Sequence, residues 1–294
     1  MLTTASVNCG TSSTPKPLAA SRFAFLSEVV GANTAQIQIM KTDGTNATPV
    51  ATAGTYDAPF LSPDGKKITL MDTASTSTYN YQIAILNVDG TGYKILTPSA
   101  EGNNYDPQFN ADGTKILYRS YPSGGDADLI LMNADGTSPV NLTNQNGWCY
   151  HQPTVSPDGK TIMAYAHGGP SGATQQGMVS LSITGTGTKI VFQGDVSYPS
   201  FSADSKQVFF TQYLDTGTNI YSMNADGTNV KQLTTDNKSW DPLVVGNKVA
   251  YVSYINTSSG GNYYEQIYSM NLDGTAQIRL TQTSTWEGFY TGGS

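Results

Sequence analysis

Short runs of apolar residues, each bounded by a polar turn that contains glycine, repeat along the chain at a nearly constant spacing. One unit reads Ile220-Tyr-Ser-Met-Asn-Ala-Asp-Gly-Thr228, and five related units share its final Gly-Thr. The turn glycines are 46, 46, 49, 42 and 47 residues apart, at Gly44, Gly90, Gly136, Gly185, Gly227 and Gly274. A period of about 46 residues built from short strands is typical of a β-propeller with one blade per repeat.

A second marker lies between the first ones. Its clearest copies are Pro59-Phe-Leu-Ser-Pro-Asp-Gly65 and Pro153-Thr-Val-Ser-Pro-Asp-Gly159. Each copy reads as a short strand closed by a tight turn, because glycine accepts positive φ and aspartate bonds its own backbone. Runs rich in β-formers, such as Lys115-Ile-Leu-Tyr118, follow the turn. The two markers together predict four strands per repeat, named a, b, c and d from the ring axis outward.

The two chain ends are complementary. Arg22-Phe-Ala-Phe-Leu-Ser27 resembles a strand b without a preceding strand a, and Trp286-Glu-Gly-Phe-Tyr290 resembles a strand a without a following strand b. An open ring would leave an exposed sheet edge. We therefore predict an all-β fold, a six-bladed propeller of four-stranded antiparallel blades, closed by the C-terminal strand a. Residues 22–294 form the predicted propeller, and residues 1–21 an N-terminal extension or tether.

Composition narrows the compartment and the partners. The chain has 30 Gly and only 13% charged residues, which favours a periplasmic or extracellular protein with an amide- and hydroxyl-rich surface. Its 15 Lys and Arg are scattered and its net charge is −7, so no basic stripe exists for a nucleic acid. No apolar run approaches the ~18 residues of a transmembrane helix.

Cys9 begins a stretch, Cys9-Gly-Thr-Ser-Ser-Thr-Pro15, that is similar to the start of a mature bacterial lipoprotein. Cys9 is therefore a lipidation candidate, and a lipid there would tether the protein to a membrane. Val7 and Asn8 differ from the small residues that usually precede such a cysteine. Two alternatives are a disordered extension with an incidental thiol and a disulfide from Cys9 to Cys149, which an oxidising compartment permits. Cys149 beside Trp148 is expected to be a small buried thiol.

The alternation of Ile-Tyr-Ser-Met-Asn-Ala-Asp-Gly-Thr with Leu-Thr and Pro-x-Phe-Ser-Pro-Asp-Gly-Lys resembles the TolB-like (WD-repeat-like) propeller repeat of bacterial cell-envelope proteins. The resemblance extends over residues 22–290. It implies the fold, and it implies a channel mouth that receives a segment of a partner. It does not imply one activity, because related propellers serve as docking platforms, enzyme gates and glycan-degrading scaffolds.

Two common catalytic motifs are absent from the sequence. It contains no Gly-x-Ser-x-Gly and no His-Glu-x-x-His, and its two histidines are His151 and His167. His167 lies in Ala166-His-Gly-Gly-Pro170, which we interpret as a solvated loop between strands b and c. Propeller lyases that act on pectin-derived oligosaccharides use a metal held by several histidines, and two histidines fall short of that. We predict a protein without catalysis of its own that requires no cofactor.

The residues just before strand a are expected to surround one mouth of the central channel, because strand a is the innermost strand. The predicted binding residues share this place: Asp57, Tyr105, Asp106, His151, Tyr198, Trp240, Asp241, Trp286 and Glu287. The loops between strands b and c, rich in Tyr, Ser, Gly and Asn, are expected around the same mouth as recognition loops or as merely exposed loops.

Two hypotheses account for the four acids, Asp57, Asp106, Asp241 and Glu287. They cap the incoming loop by accepting backbone N–H bonds, or they converge to bind a cation, Ca²⁺ or Na⁺, or a basic or polar group of a protein or glycan partner. The first function we predict is a binding or scaffolding propeller of the cell envelope or secreted fraction. The alternatives are a glycan-active enzyme (lyase or glycosidase) that uses these carboxylates, and a subunit of an extracellular surface assembly that uses residues 1–20.

The Asp-Gly turns form a separate acidic set, on the opposite face from the mouth. They lack the further oxygen ligands of calcium loops, so we interpret them as turns. The set consists of Asp43, Asp64, Asp89, Asp112, Asp135, Asp158, Asp226 and Asp273.

Overall fold

The computed structural model confirms a six-bladed β-propeller of four-stranded antiparallel sheets. It describes residues 22–29, 34–50, 54–72, 81–97, 102–121, 126–144, 147–169, 175–256, 263–282 and 286–289. Cys9, the rest of the N-terminal extension and most of the b–c loop tips lie outside these residues. In the described part of the chain, no helix is long and apolar enough to cross a membrane.

Five blades are continuous in sequence, with strands a to d in chain order. Blade 1 contains β4 (Tyr56–Leu61), β5 (Lys67–Asp72), β6 (Gln82–Asn87) and β7 (Lys94–Ile95). Blade 2 contains β8 (Asn103–Phe109), β9 (Lys115–Tyr121), β10 (Asp128–Asn133) and β11 (Val140–Asn141). Blade 3 contains β12 (Trp148–Val155), β13 (Thr161–Gly168), β14 (Gln175–Ser182) and β15 (Lys189–Gln193). Blade 4 contains β16 (Val196–Phe201), β17 (Gln207–Leu214), β18 (Gly217–Asn224) and β19 (Lys231–Gln232). Blade 5 contains β20 (Ser239–Val245), β21 (Lys248–Asn256), β22 (Tyr263–Asn271) and β23 (Ile278–Arg279).

Blade 6 joins the two ends of the chain, as predicted. Its strands are β24 (Glu287–Gly288), β1 (Arg22–Val29), β2 (Thr34–Lys41) and β3 (Thr48–Pro49). β24 pairs antiparallel with β1, with Gly288 opposite Leu26. The ring of Phe289 meets Phe23 edge-on at a centroid distance of 5.6 Å. The C-terminal residues therefore complete the ring.

The Asp-Gly turns are held by their own side chains, which confirms the turn interpretation. In the c–d turn of blade 4, Asp226 Oδ1 accepts hydrogen bonds from the backbone N–H of Thr228 at 2.9 Å and its hydroxyl at 2.6 Å. Gly227 adopts φ 92°, and a Cβ at this position would lie 2.1 Å from the carbonyl oxygen of Val191 in the neighbouring blade 3. Glycine is required by conformation and by space together.

The hydrophobic core lies between the blades rather than at one centre. One cluster joins Ala24, Leu26 and Ile37 of blade 6 to Ile68 and Leu70 of blade 1. Similar clusters fill the other contacts between neighbouring blades. Each blade has two apolar faces, so it is stable only between two neighbours.

Replacing Phe289 tests the closure. Phe289→Ala removes a side chain that is 8% exposed and packs on Phe23, so we expect a loss of about 3 kcal/mol in unfolding free energy, measured by denaturant unfolding. Val140→Ala, at a site 55% exposed, is the control and should stay within about 0.5 kcal/mol of the wild type. Equal stabilities of the two variants would contradict closure by the C-terminal strand.

Candidate functional site

Strand a is interrupted in five blades by a bulge that places one residue in the left-handed conformation directly before a proline. These residues are Ala58 (φ 46°), Asp106 (53°), Gln152 (45°), Tyr198 (54°) and Asp241 (51°). The ladder to strand b breaks at the same points, for example between Tyr105 and Gln108. Positive φ at a non-glycine residue costs of order 1 kcal/mol or more, and bulges redirect a side chain. The bulge turns each of these side chains toward the channel.

One cavity at the channel mouth is lined by all five left-handed residues and by Phe289. Gly288 pairs with β1 at the position where Asp57 pairs with β5 in blade 1. Phe289 follows Gly288 as Ala58 follows Asp57, so Phe289 is the blade 6 equivalent of the five left-handed residues. We call these six residues the collar. Four of the five prolines that follow the left-handed residues, Pro59, Pro107, Pro199 and Pro242, line the same cavity. The collar therefore contributes one residue from each blade to the lining of this cavity.

The four predicted acids do not form one ring. Asp106 and Asp241 belong to the collar, Asp57 lies one position earlier along its strand, and Glu287 lies two positions earlier. The sequence prediction treated these four acids as equivalent residues. They are not equivalent, because the bulge that sets the collar position is not visible in the sequence. Tyr105, His151 and Trp240 lie at the level of Asp57. Tyr198 belongs to the collar.

Two of the acids hold the backbone, as in the capping hypothesis. Asp57 Oδ1 accepts the N–H of Ala58 at 2.8 Å. Asp106 Oδ2 accepts the N–H of Gln152 in the next blade at 3.1 Å and pairs with Arg119 Nε at 2.7 Å. Both carboxylates are buried. Their contacts account for them as structural groups.

Asp241 differs from the other collar acid. Its side chain is 8% exposed, and its backbone N–H donates to Thr211 Oγ1 at 2.9 Å. Its carboxylate has no hydrogen bond or ion pair with any described residue. Burial raises the pKa of Asp241 well above its usual range, and the negative charges of Glu265, Asp106 and Asp57 raise it further. A buried, unpartnered carboxyl at a cavity wall favours a positively charged ligand.

Glu265 is a mouth residue that the sequence analysis missed. It lies on β22 opposite Tyr254, and its Oε2 would come within 3.4 Å of a Cβ placed on Gly288 of the closing strand. Burial raises the pKa of Glu265 to about 7, and hydrogen bonds from Tyr254 and Trp286 lower it in part. Glu265 belongs to no motif, so only the three-dimensional arrangement reveals it.

Aromatic rings surround the collar in two groups. In blades 1 to 3, Tyr81 and Tyr105 lie 5.2 Å apart, Tyr105 and Tyr121 5.6 Å, and Tyr121 and His151 6.4 Å. Arg119 lies over the Tyr105 ring at 4.5 Å. In blades 4 and 5, Tyr198, Trp240 and Tyr254 form a second group, with centroid distances of 5.6 and 6.3 Å. The mouth thus combines acidic groups with ring faces.

Charge is distributed unequally between the two faces of the disc. The mouth face, at the d–a and b–c connections, carries eleven acidic and three basic side chains among the described residues. They are Asp57, Asp72, Asp106, Asp126, Asp128, Asp195, Asp215, Asp236, Asp241, Glu265 and Glu287, with Arg119, Lys238 and Arg279. The opposite face, at the a–b and c–d turns, carries nine acidic and eleven basic ones. They are Asp43, Asp64, Asp89, Asp112, Asp135, Asp158, Asp204, Asp226 and Asp273, with Arg22, Lys41, Lys66, Lys67, Lys94, Lys115, Lys160, Lys189, Lys206, Lys231 and Lys248. The mouth face is the negative one.

Metal-ligating side chains gather at a different place from the one predicted. Among the described residues, the group of three or more that could hold one ion consists of Cys149, His151 and His167. Asp57, Asp106, Asp241 and Glu287 do not form such a group. His167 lies in β13, opposite Cys149, rather than in a loop, because the hairpin of blade 3 extends further than the Gly-Gly sequence indicated. Its side chain is exposed, as expected.

Comparisons with known proteins place the chain in a family. The model of the TolB beta propeller domain matches residues 19–195. A comparison with curated proteins finds no significant match.

Solved structures show the same fold at low sequence identity. TolB from Acinetobacter baumannii superposes with a TM-score of 0.73 at 20% identity, over 94% of this chain and 67% of that one. A chain of a nidogen/laminin complex gives a TM-score of 0.65 at 13% identity, over 90% of this chain and 93% of that one. An oligogalacturonate lyase in complex with manganese gives 0.57 at 16% identity, over 88% and 73%. The family model covers more than half of the sequence, and the chain therefore belongs to the TolB-type β-propeller family.

Proposed function

We propose that the protein is a non-catalytic binding module whose channel mouth receives a positively charged segment of a partner protein. A glycan bearing an amino group would offer the same chemistry. Membership of the TolB-type family supports a binding role, and the composition supports a periplasmic or extracellular location. A lipid at Cys9 would tether the protein to a membrane, and that part of the proposal rests on the sequence alone.

The carboxyl of Asp241 is the observation that carries the proposal. Burial makes ionisation of the Asp241 carboxyl unfavourable in the free protein and raises its pKa, so a bound cation would stabilise the ionised form. Asp106 has no such need, because Arg119 and the Gln152 N–H already satisfy it. The binding acid within the collar is therefore Asp241.

The surroundings of Asp241 favour a cation with an organic stem. The negative mouth face attracts positive ligands over a distance of about a Debye length. Tyr198 is the aromatic side chain of the collar that lines the cavity together with Asp241, and an ammonium or guanidinium group gains about 0.5–2 kcal/mol over such a ring. A lysine or arginine side chain, or an N-terminal amine, satisfies both requirements.

Glu265 favours a second candidate, a glycan-active enzyme. A carboxyl whose pKa lies at about 7 is suited to act as a general acid at neutral pH. Asp241 lies near enough for its titration to depend on Glu265. Glu265→Gln separates the two candidates, since an enzyme of this kind would lose turnover of oligosaccharides. A binding module has no turnover in the wild type.

The binding prediction concerns Asp241→Asn. Loss of one partner of a buried charge pair costs about 2–5 kcal/mol, so the variant should bind Lys- and Arg-containing peptides at least about 30-fold more weakly. Titration calorimetry with peptides of equal length that are cationic, neutral or anionic measures this. The wild type should prefer the cationic set, and its affinity should fall with added salt.

The matched control is Asp226→Asn, which makes the same charge change in a turn of the opposite face. It should bind as the wild type does. Equal affinity for all three peptide sets, or an equal loss of affinity in both variants, would contradict the proposal.

Asp241→Asn lacks an ionisable carboxyl to bury, so its melting temperature at neutral pH should not fall below that of the wild type.

The pH prediction concerns Glu265. Its pKa is about 7 in the folded state against an ordinary 4.5, so the folded protein holds more protons between these values and loses stability as pH rises through this window. Glu265→Gln removes this loss. The melting temperature of the variant should therefore rise relative to the wild type from about pH 4.5 to about 7 and then stay constant.

Asp215→Asn provides the comparison for this pH profile, because Asp215 is an exposed acid of the same face. Its melting temperature should follow the wild type across the whole range. A Glu265→Gln profile parallel to the wild type would show that Glu265 titrates normally.

A further inference from the structure

Blade 3 brings rare residues of the chain to one place. The sequence has two histidines and two cysteines, and both histidines meet Cys149 at the mouth end of this blade. Cys149 and His151 lie two residues apart on β12, so their side chains share one face of the sheet. His167 on β13 is the direct cross-strand partner of Cys149. Strand pairing thus fixes a Cys-x-His and a His side by side.

We propose that Cys149, His151 and His167 form a binding site for a borderline-soft divalent metal ion, and that Zn²⁺ is the ion that fits it. One ligand atom from each residue can be chosen so that all three lie within 4.8 Å of one another. Cys149 Sγ lies 3.6 Å from His151 Nε2. A tetrahedral zinc with Zn–S of about 2.3 Å and Zn–N of about 2.0–2.1 Å places sulfur and nitrogen about 3.6 Å apart.

The ligand types select the metal. A thiolate with two imidazoles suits Zn²⁺, whereas Ca²⁺, Mg²⁺ and Mn²⁺ prefer oxygen ligands. Cys149 is buried and free of disulfides, while His167 is exposed, so the site opens to solvent on one side. Tyr121 Oη lies 3.7 Å from Cys149 Sγ. The fourth position is left for this hydroxyl or for water, as in sites with three protein ligands.

Arg119 sets the proton arrangement of the site. Its Nη1 donates to His151 Nδ1 at 2.5 Å, which leaves the ring proton on Nε2, directed at the sulfur. On metal binding the thiol proton leaves to solvent and the His151 proton moves from Nε2 to Nδ1. This requires the Nη1 group to withdraw, and Arg119 already pairs through Nε with Asp106. The metal and the Arg119–His151 contact are therefore alternatives.

The test is a titration of the full chain, free of any purification tag, with Zn²⁺ and with Co²⁺ as a spectroscopic probe. We expect a single site, with thiolate-to-cobalt charge-transfer absorption that Zn²⁺ abolishes by displacement. Cys149→Ser and His167→Ala should each weaken binding by at least about 100-fold, because loss of even an outer partner costs about 10- to 100-fold. His167→Ala changes an exposed side chain, so it leaves the folding of the blade intact.

Cys9→Ser is the matched control, because it removes the other thiol of the chain. It should keep the cobalt spectrum and the affinity of the wild type. Absence of Zn²⁺ binding by the wild type would overturn the proposal and leave a hydrogen-bonded thiol and imidazole. Binding that survives His167→Ala, or that is lost in Cys9→Ser, would overturn it as well.

Discussion

A left-handed residue fixed in front of a proline is the constraint on which the mouth depends. In a regular strand a, successive side chains would alternate between the two neighbouring blades. In five blades the bulge breaks this alternation once, and the residue at the bulge lines the channel cavity. The strain recurs in five blades, so it belongs to the architecture. Because the backbone fixes the direction of each collar side chain, the type of side chain can differ from blade to blade and determine what the channel binds.

Closure supplies the sixth member of the collar. In blade 6 no proline follows Phe289 in the sequence, and Phe289 occupies the collar position because β24 pairs with β1. Gly288 leaves room for the Trp286 ring, since a Cβ there would lie 2.8 Å from that ring. Trp286 and Glu265 then lie beside the closing strand, next to blade 5. The last strand of the chain therefore shapes both the ring and the acidic side of the mouth.

The sequence predicts the fold well, because the repeat is local and each copy contains the motifs of its own turns. The Asp-Gly turns, the strand order and the closing pair follow from short motifs such as Asn224-Ala-Asp-Gly227. The site is less predictable. The bulge shifts Asp57 and Glu287 out of the collar, and nothing in the sequence marks the shift. Glu265 and His167 lie outside the repeated motifs, and they acquire their neighbours only through strand pairing.

The proposed function depends on Asp241, a buried carboxyl that can pair with a cation. Its most direct measurement is a side-chain carboxyl NMR titration of the free protein and of the protein with a lysine-containing peptide. We expect the pKa of Asp241 to lie above the ordinary range of an aspartate in the free protein, and to fall toward that range when the peptide binds. An ordinary pKa for Asp241 in the free protein, or a raised pKa that the peptide leaves unchanged, would contradict this proposal.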